Sequence, residues 1–222
     1  KEWYVCLHIR ESNYTGASET RDVSIKNYIP MITYINSLGG KVIKMGDKGM
    51  KEVSNIEGLI DYANSENKDE LMDLILINNC RLFVGCSSGL VMLAYLLNKD
   101  VINLNFNEFA GAFFGNSKAT VLKNIFLKSR SKVISPKELI LSNYYKDFLY
   151  NNSDNIILNE NTSDQILTII KKYFNQQNLF DIEFNKNFEK DRKFVHEKIL
   201  KDKMITDMMS DYLEGTLNSK TN

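Results

Sequence analysis

The chain has 222 residues and a mass of 25.6 kDa, enough for one large domain or for a domain with a smaller appendage. Hydrophobic residues make up 43% and charged residues 25%, an ordinary composition for a protein with a buried core. The 28 basic residues balance the 28 acidic residues. This balance argues against a protein that coats nucleic acid, and it removes long-range attraction to anionic membranes.

Cysteine and histidine usage argues against the common structural metal sites. Cys6, Cys80 and Cys86 lack Cys-x-x-Cys spacing, so neither a disulfide framework nor a cysteine-based zinc site is expected. His8 and His196 are too few for a histidine-rich metal centre. Scattered cysteines fit a reducing compartment, and we therefore predict a cytoplasmic location.

No stretch of the sequence has the length and apolarity of a membrane span, which needs about 18 apolar residues. The nearest stretch, 82–97, is interrupted by Gly85, Gly89 and the two serines between them. The start of the chain shows no signal-peptide pattern. Because the chain opens on Lys1 rather than Met and is strand-like almost at once, we expect it to be a piece of a longer polypeptide.

Short apolar runs alternate with helical patterns over the first half of the chain. Strands are predicted at residues 3–9, 42–45, 58–62, 81–85 and 101–104. Between the first two, residues 25–38 have helical spacing and stop at Gly39, with Pro30 either in the first turn or at a kink.

Two further helices are predicted between the later strands. The first opens on a capping box from Asn67 to Glu70 and turns Leu71, Leu74 and Ile75 inward. The second covers residues 90–97. This alternation predicts an α/β protein in which helices cover both faces of a parallel sheet.

The second half of the chain is less regular. A proline-containing helix start is predicted at Ser135–Glu138, and a helix capped by Ser163 is predicted to run to about Phe174. Residues 184–217 have the mixed charge of a long helix or a helix pair. We assign residues 1–160 to a Rossmann-like domain and residues 161–222 to a helical C-terminal extension that packs on or crosses it.

In a parallel sheet, ligands bind at the carboxyl ends of the strands. The functional loops are therefore expected after Ile9, Met45, Tyr62 and Val84.

The first candidate constellation is His8-Ile9-Arg10, at the end of the first strand. Alternation places His8 and Arg10 on the same side. A guanidinium at a strand exit can bind phosphate or carboxylate, a contact worth roughly 1.5–3 kcal/mol. Arg10 could equally be a surface arginine paired with Glu11 or Asp22, with His8 packed in the core.

The second constellation is Gly85-Cys-Ser-Ser-Gly89, between a buried strand and an apolar helix. Ser87, Ser88 and the backbone up to Gly89 could bind a phosphate, because N–H groups at a helix start favour an anion. The alternative is a tight turn in which the serines only cap the helix. The same residues also match the Gly-x-Ser-x-Gly elbow of serine hydrolases, with Ser87 as nucleophile, although only His196 follows as a base.

Gly46-Asp47 and Asp61-Tyr62 are weaker candidates that also follow predicted strands. The chain has no P-loop, no Gly-x-Gly-x-x-Gly and no Asp-x-Asp pair. These absences lower the expectation of a kinase, an NAD-dependent dehydrogenase or a metal-dependent glycosyltransferase, respectively.

Several motifs, taken in order, resemble a set found in bacterial glycosyltransferases of the GT-B type. They are Leu7-His-Ile-Arg-Glu11, Arg21-Asp22, Gly39-Gly-Lys-Val-Ile-Lys-Met-Gly-Asp47, Ile60-Asp-Tyr-Ala-Asn-Ser65, Met72-Asp73 and Phe83-Val-Gly-Cys-Ser-Ser-Gly89. The resemblance covers residues 3–106 and is to the C-terminal, nucleotide-sugar-binding half of such enzymes. The His-x-Arg and Ser-Ser elements are also similar to those of fucosyltransferases that use GDP-fucose.

The resemblance implies that Arg10 contacts the donor diphosphate and stabilises the leaving nucleotide, with His8 in support. It implies that Ser87 and Ser88 hold a phosphate and that Asp61 lies near the base or ribose. The implied enzyme transfers a sugar from a nucleotide-diphosphate sugar to a glycan or lipid-linked acceptor, without metal or cofactor, in cell-surface polysaccharide synthesis.

The implied partners are the donor, the acceptor and an N-terminal domain of the same polypeptide. Nucleic acid is not among them, and peripheral contact with a membrane is left open. A serine hydrolase using Ser87 and a non-catalytic nucleotide-binding module are the alternatives.

Overall fold

A computed structural model describes residues 2–11, 21–106, 117–135, 138–139, 141–142 and 155–179. Its strands are β1 Tyr4–His8, β2 Lys41–Met45, β3 Leu59–Asp61, β4 Leu82–Gly85, β5 Val101–Phe106, β6 Ala119–Leu122, β7 Asn124–Leu127, β8 Lys132–Ile134 and β9 Ile156–Asn159. Its α-helices are α1 Ile29–Ser37, α2 Glu70–Asn79, α3 Gly89–Leu96 and α4 Ser163–Phe174. Short 3-10 helices cover Ile25–Tyr28 and Lys128–Arg130.

In the described part of the chain, six strands form one sheet in the order β3-β2-β1-β4-β5-β6, with every neighbouring pair parallel. This is the strand order of a Rossmann-like fold. The sequence predicted a Rossmann-like domain with a parallel sheet, and the structure confirms it. The order reverses between β1 and β4, so a crevice is expected at the carboxyl ends of these two strands. Strands β7, β8 and β9 form a separate antiparallel sheet that the sequence analysis did not predict.

Alternation along the central strands divides the core into two layers. Val5, Leu7 and Ile9 belong to a cluster with buried residues of α1 and α4. Cys6 points to the opposite face, where it joins a cluster with buried residues of α2 and α3. Helices therefore cover both faces, and the central strands are buried on both sides, which explains their nearly continuous apolar sequence.

The helix between β1 and β2 confirms the first of the two readings of Pro30. α1 begins at Ile29, so Pro30 lies in its first turn, where its missing N–H costs nothing. After the helix, Gly39 has φ +79°, a conformation that glycine adopts without the steric cost of a Cβ.

Two expectations about α2 are wrong. The N-cap is Asp69 rather than Asn67, because the Asp69 carboxylate accepts from the N–H groups of Leu71 and Met72. Leu71, Leu74 and Ile75 do not point inward: their exposed fractions are 64%, 39% and 44%. Ile77 is the buried contact of this helix.

Two helix starts in the second half of the chain lie close to their predicted positions. Ser135 and Glu138 exchange the two bonds of a capping box, at 2.9 and 3.1 Å, although residues 136–137 lie outside the described residues. α4 is capped by Thr162, one residue before the predicted Ser163, and ends at Phe174 as expected. The expected helical tail at 184–217 and His196 lie outside the described residues. No helix that the structure describes is both long and apolar enough to span a membrane.

Candidate functional site at the β1–β4 crevice

A cavity of about 280 Å³ opens at the carboxyl ends of β1, β2 and β4. It is lined by His8, Arg10, Gly46, Asp47, Met50, Ser88, Gly89 and Leu90. The cavity therefore lies at the reversal of strand order between β1 and β4, where open α/β sheets bind their ligands. Six of the nine predicted site residues line it, namely His8, Arg10, Gly46, Asp47, Ser88 and Gly89.

Arg10 supplies the positive charge of this cavity. It lies two residues beyond β1 and is half-buried, and its backbone carbonyl accepts a 2.8 Å bond from the N–H of Val23. This bond fixes the backbone from which the guanidinium extends. A guanidinium can bind two oxygens of a phosphate or carboxylate at once.

The N-terminus of α3 also lines the cavity. Ser88 is the N-cap, yet its side chain makes no capping bond, and its buried Oγ has no hydrogen-bond partner among the described residues. The first N–H groups of α3 therefore donate to no cap side chain. The side chains that cap α2 and α4, by contrast, do bond their helices. An uncapped helix start beside an arginine favours an anion.

Close packing brings α3 to the end of β4. A Cβ on Gly85 would lie 2.7 Å from Cγ2 of Val91 and 2.9 Å from Cε1 of Phe83, so only glycine leaves room for the helix here. Gly89 differs from Gly85, because a Cβ there would meet nothing within 4 Å. The first residue of α3 thus faces open space in the cavity.

His8 is held between the two strands that flank β1. It lies opposite Met45 of β2 and Gly85 of β4 in the strand registers, and only 5% of its surface is exposed. Its Nδ1 is 3.1 Å from the backbone oxygen of Met45. Burial lowers the pKa of His8 to about 4, so the ring is neutral near pH 7.

The loop after β2 forms the third side of the cavity. Gly46 has φ +151°, and a Cβ there would overlap with Sδ of Met50, which packs beneath it. Asp47 is exposed at the rim of the cavity.

A buried ion pair anchors this loop. Lys44 is fully buried, and its Nζ lies 3.2 Å from Oδ1 of Asp61 and 2.7 Å from the carbonyl oxygen of Lys51. The other carboxylate oxygen of Asp61 accepts from the N–H of Val53 and from the amide of Asn64. The Asp61 side chain thus holds the 46–53 loop and does not line the cavity.

Tyr62 and Ser87 are not among the lining residues either. The hydroxyl of Tyr62 donates to the carbonyl of Asp69 at 3.0 Å and accepts from the N–H of the same residue at 3.1 Å. Ser87 is 2% exposed. A nucleophilic serine must reach its substrate, so this burial disfavours the hydrolase alternative. Burial also raises the pKa of Cys86 to about 11, which keeps its thiol protonated.

The sequence analysis did not single out Met50 and Leu90 as lining residues. Met50 ends a turn-forming run, and Leu90 begins an apolar helix, so neither position differs from ordinary core residues in the sequence. The role of Lys44 was also missed, because its partner lies on another strand and sequence spacing does not reveal that pairing.

No protein-family model matches the chain, and no curated protein matches it. Among solved structures, it is similar to the iron-containing dodecameric glycosyltransferase TibC from enterotoxigenic E. coli H10407, with 21% identity and a TM-score of 0.34 over 46% of this chain and 26% of that chain.

A second similar structure is the dodecameric iron-containing heptosyltransferase TibC in complex with ADP-D-β-D-heptose. It shows 21% identity and a TM-score of 0.32 over 46% of this chain and 27% of that chain. The match therefore spans about a quarter of the length of each TibC chain. We assign no residue a role from these similarities.

Proposed function

We propose that this chain binds the nucleoside-diphosphate part of a sugar donor and is the donor-binding part of a glycosyltransferase. One observation carries the proposal: Arg10 and the uncapped start of α3 line the same cavity, and the Ser88 hydroxyl there has no hydrogen-bond partner in the part of the chain that the structure describes. A diphosphate would give the guanidinium, the Ser88 hydroxyl and the helix N–H groups a common partner. The ordered motifs that resemble GT-B glycosyltransferases support the same ligand.

The reaction releases a nucleoside diphosphate, on which negative charge develops as the bond to the sugar breaks. Arg10 and the α3 N-terminus would stabilise this charge where it forms, without having to reorganise. They would do so without a bound metal ion. Asp47, at the cavity rim, would accept hydrogen bonds from hydroxyl groups of the donor. The same proposal includes a sugar acceptor and a second domain that would bind this acceptor.

Calorimetry with GDP, UDP and ADP tests the proposal. We expect micromolar binding of one diphosphate, unchanged by EDTA and weakened at least tenfold by Arg10→Ala, which is about 1.4 kcal/mol. Arg130→Ala is the matched control, because Arg130 is exposed and lies in the 3-10 helix between β7 and β8. Equal affinity in wild type and Arg10→Ala would remove Arg10 from the site.

Transfer requires a separate measurement. Release of nucleoside diphosphate from the bound donor, in the presence of glycan or lipid-linked acceptors, would identify a transferase. Tight donor binding by the full-length polypeptide without turnover on any acceptor would instead identify a non-catalytic binding module.

A further inference from the structure

The two ring nitrogens of His8 have different roles in the cavity. Nδ1 lies 3.1 Å from the backbone oxygen of Met45, and a carbonyl oxygen can only accept a hydrogen bond. Nδ1 therefore carries a hydrogen in both charge states of the ring. Nε2 is then the nitrogen that gains or loses the titrating proton.

The surroundings of His8 keep Nε2 unprotonated when the cavity holds no anion. Burial is the largest cause of the low pKa, and the positive charges of Arg10 and Lys44 lower it further. The bond to Met45 and the carboxylate of Asp47 act in the opposite direction. These groups lie in the segment after β1, on β2 and in the loop after β2. The α3 residues that line the cavity, Ser88, Gly89 and Leu90, carry no charge.

A neutral His8 does not match a diphosphate. Its Nε2 presents a lone pair, and the oxygens of a diphosphate diester are also acceptors. Two acceptors cannot form a hydrogen bond. A diphosphate bound beside Arg10 would bring negative charge close to the ring and would favour the imidazolium. Protonated Nε2 would then become a charge-assisted donor in the same cavity.

We propose that binding of a nucleoside-diphosphate sugar places a proton on Nε2 of His8, and that the resulting imidazolium holds the diphosphate together with Arg10. The proton comes from the solvent, no other bond is made or broken, and the ring gains one positive charge. The inference rests on the proposed function and adds a protonation step to it. Donor affinity then increases as the pH falls below neutrality.

Calorimetry with a UDP-, a GDP- and an ADP-hexose, from about pH 5 to about pH 8, tests the step. The diester-linked diphosphate of these donors keeps its charge over this range. In two buffers that differ in ionisation enthalpy, we expect net proton uptake on binding, approaching one proton per donor. As the pH falls, the donor affinity should increase by up to about tenfold per pH unit. This is the limit when binding is coupled to the uptake of one proton.

Two substitutions separate the roles of the ring nitrogens. His8→Asn keeps a donor for the Met45 carbonyl and lacks Nε2, so donor binding should be weaker and independent of pH. His8→Gln offers a non-titrating N–H near the position of Nε2, so its affinity should also be independent of pH but higher than that of His8→Asn. If the donor affinity of either variant changes with pH as it does in the wild type, the proton binds elsewhere and the inference is wrong.

NMR spectroscopy gives a second measurement, which observes the His8 ring directly in the wild-type protein. The chain has only two histidines, and His196→Gln assigns their imidazole signals. At about pH 6, the His8 signal should move from the neutral to the protonated position when the donor binds. Donor binding with a neutral His8 would contradict this inference and leave the proposed function intact. No binding of any of the three donors at any pH would overturn both.

Discussion

The imidazole of His8 and the backbone oxygen of Met45 join two neighbouring parallel strands at the mouth of the cavity, with Nδ1 3.1 Å from the oxygen. This bond orients a buried ring that lines the candidate site. The burial of the ring makes the protein sensitive to pH, because the ring is neutral in the fold and free to ionise in the unfolded chain.

Acid should destabilise the protein through His8. Its pKa is about 4 in the fold and 6.5 in the unfolded chain, so only the unfolded chain binds a proton between these values. The stability is therefore complete above pH 6.5 and is lost as the pH falls towards 4, by about 3 kcal/mol. Urea unfolding of wild type and His8→Asn at pH 7 and pH 4 isolates the contribution of His8 to this loss of stability. An equal loss in both proteins would show that His8 is not its source.

Replacement of Ser88 should weaken diphosphate binding without lowering the stability of the fold. Within the described ranges the buried Oγ has no hydrogen-bond partner, so Ser88→Ala removes an unsatisfied polar atom and should leave the free energy of unfolding unchanged or slightly higher. The same change removes a donor for the phosphate, so diphosphate affinity should fall about tenfold. Urea unfolding and calorimetry measure the two effects. A marked loss of stability would mean that the hydroxyl has a structural partner.

Gly89 should accept an added side chain without loss of the fold. A Cβ there meets nothing within 4 Å, and alanine has less conformational freedom than glycine in the unfolded chain, so Gly89→Ala should be at least as stable as wild type. Gly89→Leu should also fold, because its side chain would extend into the cavity. Diphosphate binding should nevertheless be lost in Gly89→Leu, as calorimetry would show. Normal binding in that variant would place the ligand outside this cavity.

Breaking the ion pair between Lys44 and Asp61 on one side should destabilise the fold far more than breaking an exposed pair. Asp61→Asn leaves a fully buried ammonium without its counter-charge, and we expect a cost of about 3–5 kcal/mol in urea unfolding. Lys44→Met combined with Asp61→Asn should recover much of this cost. The exposed pair Lys132–Glu138 is the control, and Glu138→Gln should cost about 1 kcal/mol or less. Equal costs at the two pairs would contradict the expectation.

The central sheet and the position of the cavity could be predicted from the sequence. Strands buried on both faces are nearly continuous apolar runs, and β1 and β4 show this pattern most clearly. Parallel strands bring the residues that follow them to one edge, so the sequence alone was enough to place Arg10, Asp47 and Ser88 together.

Features that depend on contacts between distant residues could not be predicted. The apolar positions of α2 indicate a helix, but periodicity does not show which face is covered, and Leu71 and Ile75 are exposed. Asp61 follows the pattern of a ligand-binding residue, yet its carboxylate bonds Lys44 from the neighbouring strand. The strands of the second sheet are short and include polar residues, so they lack a clear signal in the sequence.

A crystal structure of the protein with the nucleoside diphosphate that binds it best would show where the phosphates lie. The proposed function predicts phosphate oxygens within hydrogen-bond distance of both the Arg10 guanidinium and the first N–H groups of α3. A diphosphate that contacts only one of these two groups, or that binds away from the ends of β1 and β4, would contradict it.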